Sequence, residues 1–145
     1  MRRKWISLLL AASMVLSPSY LFPGAAMALT EQDDSGYSTY ECEDGEVLGS
    51  AVVSTSFSGY TGDGSVVCGM VPVQGVTLSN VTVPEEGDYT VLIRYGQSNW
   101  SARTMYVYAN GNEADAQQVV FPKLKSWGLW DQIPVTVHLN AGENT

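Results

Sequence analysis

The fold of this chain is decided by the stretch Asp88-Tyr89-Thr90-Val91-Leu92-Ile93-Arg94-Tyr95. Its aromatic and β-branched residues occupy every second position, and a β-strand directs alternate side chains to the same face. The sequence Pro-Glu-Glu-Gly at positions 84–87, which is typical of a turn, precedes it. The stretch therefore predicts a strand with one face in a hydrophobic core and the other face in polar surroundings.

Two later stretches, 103–109 and 133–139, alternate in the same way. The first stops at Asn110-Gly111, a dipeptide that favours a hairpin turn. Weaker β-type runs cover 38–43, 47–54, 65–70, 76–83 and 117–121. No segment repeats apolar residues at the spacing of a helix. About eight short strands at near-regular spacing predict an all-β fold, an antiparallel β-sandwich.

The N-terminus has the pattern of a secretory signal peptide. Basic residues precede an apolar run at 6–16 and the small-residue site Ala26-Met27-Ala28, after which cleavage is expected. The apolar run is shorter than the ~20 residues of a membrane-spanning helix. We therefore predict a signal peptide at 1–28, a disordered polar leader at 29–36 and one secreted domain at 37–145.

Residues 29–145 carry a strong excess of negative charge. All fifteen acidic residues lie beyond Ala28 but only four of the seven basic residues do, so the net charge of this part is −11. Nucleic acid is a poor partner for such a surface, because its binding requires a basic face that releases counterions. An anionic membrane surface is disfavoured for the same reason.

The chain has two cysteines, Cys42 and Cys68, each in a strand-like run. In an exported protein they can form a disulfide. They can also remain buried thiols that pack as small hydrophobic side chains. The sequence leaves both alternatives open, because it gives no distance between the two residues.

Two glutamates, Glu41 and Glu43, flank Cys42 in the first predicted strand. The two-residue period of a strand places their carboxylates on one face, about 6–7 Å apart. A calcium ion, which prefers oxygen ligands, would relieve the repulsion between them. The alternative is an exposed acidic face on which both carboxylates are solvated.

The sequence contains no recognisable catalytic arrangement. His138, the single histidine, lies within a predicted strand, and no acidic pair has a context that marks a general acid and a nucleophile. The sequence Gly-Tyr-Thr-Gly-Asp-Gly at 59–64 lacks the following helix of a phosphate-binding loop, so it predicts a tight turn. We therefore predict that the chain is not an enzyme.

Aromatic residues are concentrated in predicted loops. Two of the four tryptophans lie in the stretch Phe121-Pro122-Lys123-Leu124-Lys125-Ser126-Trp127-Gly128-Leu129-Trp130. Such rings pack against the apolar face of a sugar, while amide and cationic side chains bind its hydroxyls or a carboxylate. We expect Trp127 to be an exposed sugar platform and Trp130 to cover the end of the core. Lys125, with Lys123 and Arg103, would favour uronates, the sugars that carry a carboxylate.

Several motifs follow one another along the chain: Tyr-Glu-Cys-Glu-Asp at 40–44, the glycine turn at 59–64, the stretch at 83–95, Arg-Thr at 103–104, Tyr-Ala-Asn-Gly at 108–111, Ser-Trp-Gly-Leu-Trp at 126–130 and Leu-Asn-Ala-Gly-Glu-Asn-Thr at 139–145. In this order and spacing they resemble the carbohydrate-binding modules of family 35 and of the related family 6. The likeness covers the chain from about Tyr40 to its end.

The resemblance implies a galactose-binding-like β-sandwich of jelly-roll type. It implies a module that has no catalytic role and is attached to a secreted glycoside hydrolase or polysaccharide lyase. A structural calcium ion would be held partly by Glu41 and Glu43. The sugar site would lie in loops at one end, with Trp127 as the platform and Arg103, Ser98 and Asn99 as polar partners. A structural or adhesion spacer without sugar binding is the alternative function.

Three features depart from the pattern of these modules. Val66-Val67 stand where many relatives have an aromatic residue, and Cys42 and Cys68 replace small or apolar residues. The sequence before Thr145 predicts a turn into another strand. In the family that last strand supplies an asparagine to the sugar and an aspartate to the calcium ion. We therefore expect the sandwich to be C-terminally incomplete.

Overall fold

The computed structural model describes residues 4–10, 38–69 and 73–145. Its strands are β1 (Lys4–Leu10), β2 (Thr39–Glu41), β3 (Glu46–Gly49), β4 (Val52–Ser54), β5 (Ser65–Val67), β6 (Gln74–Thr77), β7 (Val81–Val83), β8 (Gly87–Tyr95), β9 (Arg103–Val107), β10 (Gln117–Phe121), β11 (Asp131–Leu139) and β12 (Gly142–Asn144). The helical segments in these ranges are two 3₁₀ turns, Cys42–Asp44 and Glu113–Asp115. The prediction of an all-β fold is confirmed.

The strand β8 lies at the centre of the molecule. It pairs with β11 in antiparallel register, from Gly87 opposite Leu139 to Tyr95 opposite Asp131. The side chains of its alternating apolar face are buried, and Ile93 is inaccessible to solvent. The strand that the sequence pattern predicted most clearly therefore forms the inner wall of the core.

Strands of two further sheets close this core. β7 pairs with β12, and β9 pairs with β10, in both cases antiparallel. Val83 and Phe121 pack with the buried face of β8 in one hydrophobic cluster, and the ring of Phe121 meets that of Tyr95 edge-on at 5.1 Å. Burial of side chains of this size contributes about 1.5–3 kcal/mol each. Antiparallel sheets around one core are the predicted β-sandwich.

The structure corrects the predicted extents of several strands. The runs 47–54 and 76–83 each form two strands, because the backbone turns at Gly49 and Asn80, where φ is 65° and 64°. With β12, which no predicted run covered, the part of the chain described from Thr39 onward contains eleven strands instead of eight.

Two local predictions also change. The first predicted strand ends at Glu41, and the next three residues form a 3₁₀ turn, so the strand geometry that placed Glu41 and Glu43 on one face was wrong. Asn110-Gly111 takes the positive φ values of the expected turn, 54° and 69°. That turn opens a longer loop between β9 and β10 that contains the 3₁₀ turn Glu113–Asp115.

The N-terminal strand β1 lies between β2 and β8 in the central sheet. It runs parallel to both, with Lys4 opposite Tyr89 and Ser7 opposite Thr39. The rest of the predicted signal peptide and the predicted leader at 29–36 lie outside the described residues. In the described ranges, no helix has the length and apolar character needed to cross a membrane.

Candidate functional site

Three loops meet at the end of the sandwich where β8 terminates: 55–64, 96–102 and 122–130. The Leu124 backbone N–H donates to the Gln97 carbonyl oxygen at 2.8 Å, and the Ser98 hydroxyl donates to the Leu124 carbonyl oxygen at 3.2 Å. The buried Gln97 side-chain amide also donates to the Phe121 carbonyl oxygen at 2.9 Å. These bonds hold the second and third loops together.

Trp130 joins the first loop to the other two. Its indole N–H donates to the Ser58 carbonyl oxygen at 2.9 Å, and its ring packs so closely on Gly96 that a β-carbon there would lie 3.2 Å from it. The Arg94 guanidinium lies 5.0 Å from the ring centroid on its face. Trp130 is half-buried and packs at the end of the core, in agreement with the expectation from sequence.

Trp127 is exposed on the same end of the molecule, with 40% of its surface accessible. It stacks on Phe57, with 5.0 Å between the ring centroids and 25° between the planes. Phe57 belongs to the first loop and was not identified from the sequence, because a contact between residues seventy positions apart leaves no local pattern. Phe57 therefore covers one face of the Trp127 ring, and the rest of the indole keeps its exposed surface.

The predicted polar partners lie in the second and third loops or at the base of the third. Ser98 is held by its bond to Leu124, and the Asn99 backbone N–H donates to the Gln97 side-chain oxygen at 2.9 Å. Arg103 begins β9 opposite Phe121, the last residue before the third loop. Lys125 is exposed within that loop. The fold therefore brings the loop residues to one end, with Arg103 at the base of the third loop.

Another ring, Trp100, is almost completely exposed, at 98%. It projects from the second loop, two residues beyond Ser98. Its exposure makes it a second aromatic surface at this end of the sandwich.

Arg94 was also missed by the sequence analysis. One guanidinium nitrogen, Nη2, donates to the Gly59 carbonyl oxygen at 2.6 Å. The other, Nη1, is buried and makes no hydrogen bond to the described residues. Burial lowers the pKa of Arg94, and the negative charge of Glu41 acts in the opposite direction. Arg94 thus contacts Gly59 in the first loop and Trp130 at the end of the third loop, and it also interacts with the charge of Glu41.

The acidic pair Glu41 and Glu43 converges on the glycine turn. Oε1 of Glu43 accepts hydrogen bonds from the backbone N–H groups of Asp63 at 2.9 Å and Gly64 at 3.1 Å. Oε2 of Glu41 accepts a hydrogen bond from the Thr61 hydroxyl at 3.2 Å. The glycine turn thus brings the two carboxylates together. The sequence also predicted that they lie together, but from a strand geometry that the structure does not have.

The environment of Glu43 fits a bound cation. Its second oxygen, Oε2, is buried and has no hydrogen-bond partner in the described part of the chain. Such an oxygen carries negative charge that a hard cation would neutralise. The described residues contain no group of three or more acidic, histidine or cysteine side chains placed to hold a metal. Calcium here would therefore need backbone carbonyl oxygens or water in addition to the two glutamates.

The single histidine lies at the opposite end of β8. His138 Nδ1 is 2.9 Å from Oδ1 of Asp88, and Nε2 is 3.6 Å from Oε1 of Glu86. The hydrogen bond with Asp88 is the main reason why the pKa of His138 is raised above its ordinary value. His138 and Asp88 border an open groove of about 500 Å³ that also contains Tyr108.

No family model matches the sequence. The chain is 33% identical over 106 residues to the 1,6-alpha-glucosyltransferase of Sporosarcina globispora, covering 73% of this chain and 8% of that protein. It is 35% identical over 105 residues to the exo-beta-D-glucosaminidase of Amycolatopsis orientalis, covering 72% and 10%. It is 31% identical over 108 residues to the cycloisomaltooligosaccharide glucanotransferase of Niallia circulans, covering 71% and 11%. The chain thus spans about a tenth of the length of these curated relatives.

Solved structures are similar to the chain over most of its length. A family 35 carbohydrate-binding module from an environmental isolate matches with 27% identity and a TM-score of 0.58, covering 67% of this chain and 70% of that one. The family 35 module of Paenibacillus barcinonensis matches with 27% identity and a TM-score of 0.59, covering 72% and 80%. The cycloalternan-forming enzyme of Listeria monocytogenes, solved with a pentasaccharide substrate, matches with 28% identity and a TM-score of 0.62, covering 78% and 11%. The resemblance predicted from the sequence motifs is confirmed.

Proposed function

The chain has the fold of the family 35 carbohydrate-binding modules, and on this basis we propose that it is a non-catalytic module that binds glycan for an attached sugar-processing enzyme. The short matched share of each curated relative supports this, because a tenth of an enzyme is the size of an accessory module. The predicted signal peptide at 1–28 would direct the module and its enzyme out of the cell.

The observation that carries the proposal is the exposed ring of Trp127. Its stack on Phe57 holds it in one orientation, so a sugar ring can pack on it with little loss of conformational entropy. The bond between Ser98 and Leu124 fixes the neighbouring loop in the same way. Trp127 is therefore the proposed sugar platform.

Polar side chains around the platform would fix the orientation of the sugar. Ser98 and Asn99 supply hydroxyl and amide groups, and Arg103 and Lys125 supply cationic donors. The two cations lie in a strongly acidic chain, so a sugar carboxylate would find its favourable contacts at this end of the molecule.

The first ligand class we propose is α-linked glucose oligosaccharides. The names of two relatives, a 1,6-alpha-glucosyltransferase and a cycloisomaltooligosaccharide glucanotransferase, support this choice. The Listeria structure with a pentasaccharide substrate supports an oligosaccharide ligand more generally. Uronate-containing chains are the competing ligand class, and they are supported by Arg103 and Lys125.

The test is calorimetry and affinity electrophoresis with isomalto-oligosaccharides, oligogalacturonides and manno-oligosaccharides. We expect the isomalto-oligosaccharides to bind, and Trp127→Ala to weaken binding at least about tenfold through loss of the ring contact. Tyr106→Ala is the matched control, because this exposed ring lies on β9 away from the loops. Trp100→Ala shows whether the second ring shares the ligand.

Two results would overturn the proposal. If none of these glycans binds, a structural or adhesion spacer becomes the better function. If Trp127→Ala binds as tightly as the original chain, the platform is assigned to the wrong residue. Preferential binding of oligogalacturonides would instead retain the sugar-binding function and replace the ligand class.

We also propose that Glu41 and Glu43 bind a structural calcium ion. The support is the buried, unpartnered Oε2 of Glu43 beside the glycine turn. Calcium at a hundredfold excess over its dissociation constant should then raise the melting temperature by about 5–10 °C. Glu43→Gln should abolish this rise, whereas the exposed Glu46→Gln should retain it. An equal melting temperature with calcium and with chelator would refute the site.

A further inference from the structure

A second, smaller core lies beside the main one. Its buried members are Cys42, Ala51 and Val66, and Cys68 packs against this cluster. Cys42 has no accessible surface, whereas Cys68 is half-buried. The two cysteines of the chain, separated by 25 residues in sequence, thus contribute to the same cluster.

The backbone directs both side chains toward this cluster. Val66 in β5 is buried in it, and a residue two positions further along an extended chain faces the same side, which places Cys68 there. Cys42 begins the 3₁₀ turn, and Glu43 in that turn is hydrogen-bonded to Asp63 and Gly64, which lead into β5. The segments that carry the two cysteines are therefore fastened to each other beside the cluster.

Both side chains are free thiols in the structure, and both belong to the same small cluster, so a bond between them would form on oxidation.

We propose that Cys42 and Cys68 are a disulfide site, and that their bond fastens the segment bearing Glu41 and Glu43 to the end of β5. The thiol of Cys68, which is half-exposed, loses its proton and attacks a small-molecule or protein disulfide, releasing one thiolate. The Cys42 sulfur then loses its proton and displaces the second thiolate from the mixed disulfide. Two protons and two electrons leave the cysteines, and the disulfide donor is reduced to two thiols.

The bond would change the stability of this part of the sandwich. It closes a loop that contains β3, β4, the glycine turn and β5, and this loop contributes Ala51 and Val66 to the small cluster. Closing a loop of this length lowers the entropy of the unfolded chain. It would also hold the acidic pair against the glycine turn. The inference does not depend on sugar binding.

The test uses the full chain after incubation with oxidised glutathione at low protein concentration. Unreacted thiols are alkylated in denaturant and the chain is cleaved at acidic residues, several of which lie between the two cysteines. We expect no alkylated cysteine and one peptide pair joined between Cys42 and Cys68. Reduction should lower the melting temperature by about 10 °C.

Cys68→Ala is the control, because this side chain is half-buried and its truncation disturbs the cluster less than that of Cys42. The melting temperature of this variant should not respond to reductant and should match that of the reduced original chain. Two alkylated cysteines after oxidation, a bond to glutathione only, or a bond between two chains would overturn the proposal. A bridged chain with an unchanged melting temperature would overturn the stabilising role.

Discussion

At the scale of single residues, Gly62 shows most directly how the acidic pair Glu41 and Glu43 constrains the glycine turn at 59–64. Its φ is +61°, and a β-carbon at this position would overlap Glu43 and lie 3.0 Å from the carboxyl carbon of Glu41. A side chain here would pay for a left-handed backbone and would displace both carboxylates. The position therefore requires glycine for two independent reasons.

Gly62→Ala should accordingly destabilise the protein by about 3 kcal/mol, the sum of backbone strain and the displaced carboxylates. Gly111→Ala is the matched control, because Gly111 has a φ of +69° and open space around the missing side chain. It should cost only the backbone part, about 1–2 kcal/mol. Urea unfolding of both variants measures the difference. Equal losses of unfolding free energy in the two variants would show that the carboxylates do not restrict the side chain at position 62.

The sequence predicted the exposure of some residues at this end of the sandwich and could not predict that of others. The different exposure of Trp127 and Trp130 followed from their positions in the loop and before a strand, and the structure has one ring exposed and the other packed. Sugar binding by Trp127 stays a prediction. Phe57 and Arg94 contribute through contacts with residues more than thirty positions away. Such contacts are set by tertiary packing, so no local pattern identifies them.

At the scale of strands, the alternating pattern was reliable where a strand is long and one of its faces is buried. It located β8 and β11 to within two residues, because burial of every second side chain fixes the register. It failed where the backbone turns inside an apolar run, as at Asn80, whose positive φ is unusual for a residue with a side chain. Those turns are stabilised by tertiary contacts, so the alternation of residue types along the sequence does not predict them.

The register of β8 and β11 places His138 directly opposite Asp88. The hydrogen bond with Asp88 raises the pKa of the imidazole above 6.5, desolvation opposes this rise, and the charge of Asp88 and the contact with Glu86 add to it. Since the folded-state pKa is raised, the pair stabilises the fold fully below the unfolded-state pKa. This stabilisation is lost as the pH rises through the folded-state pKa. The cross-strand pair therefore favours the fold at mildly acidic pH.

The prediction for this pair is an imidazole that titrates above its ordinary value and shifts downward in Asp88→Asn. Because the chain has one histidine, its ring signal in an NMR pH titration is assigned without ambiguity. Asp115→Asn serves as the control, since Asp115 borders the same groove but is not among the groups that raise this pKa. A titration that is identical in the original chain and in Asp88→Asn would contradict the pairing.

At the scale of the whole molecule, the position of β1 has consequences for export. Its backbone pairs with β8 from Lys4 to Leu10 and with β2 from Ser7 to Leu9, yet these residues belong to the segment predicted to be removed as a signal peptide. Removal would leave the facing N–H and C=O groups of β2 and β8 without this partner, and unpaired strand edges favour association with other chains. Processing and sheet formation therefore act on the same residues.

We predict that a chain of residues 29–145 melts at a lower temperature than the full chain and self-associates as its concentration rises, because β2 and β8 have lost their common neighbour. Calorimetry and sedimentation velocity measure the two effects. Ile6→Pro in the full chain should reproduce part of the loss, since proline removes a backbone donor from the middle of β1, whereas Ile6→Val should not. If the shortened chain and the proline variant melt at the same temperature as the full chain and stay monomeric, β1 makes no contribution to the folded sheet.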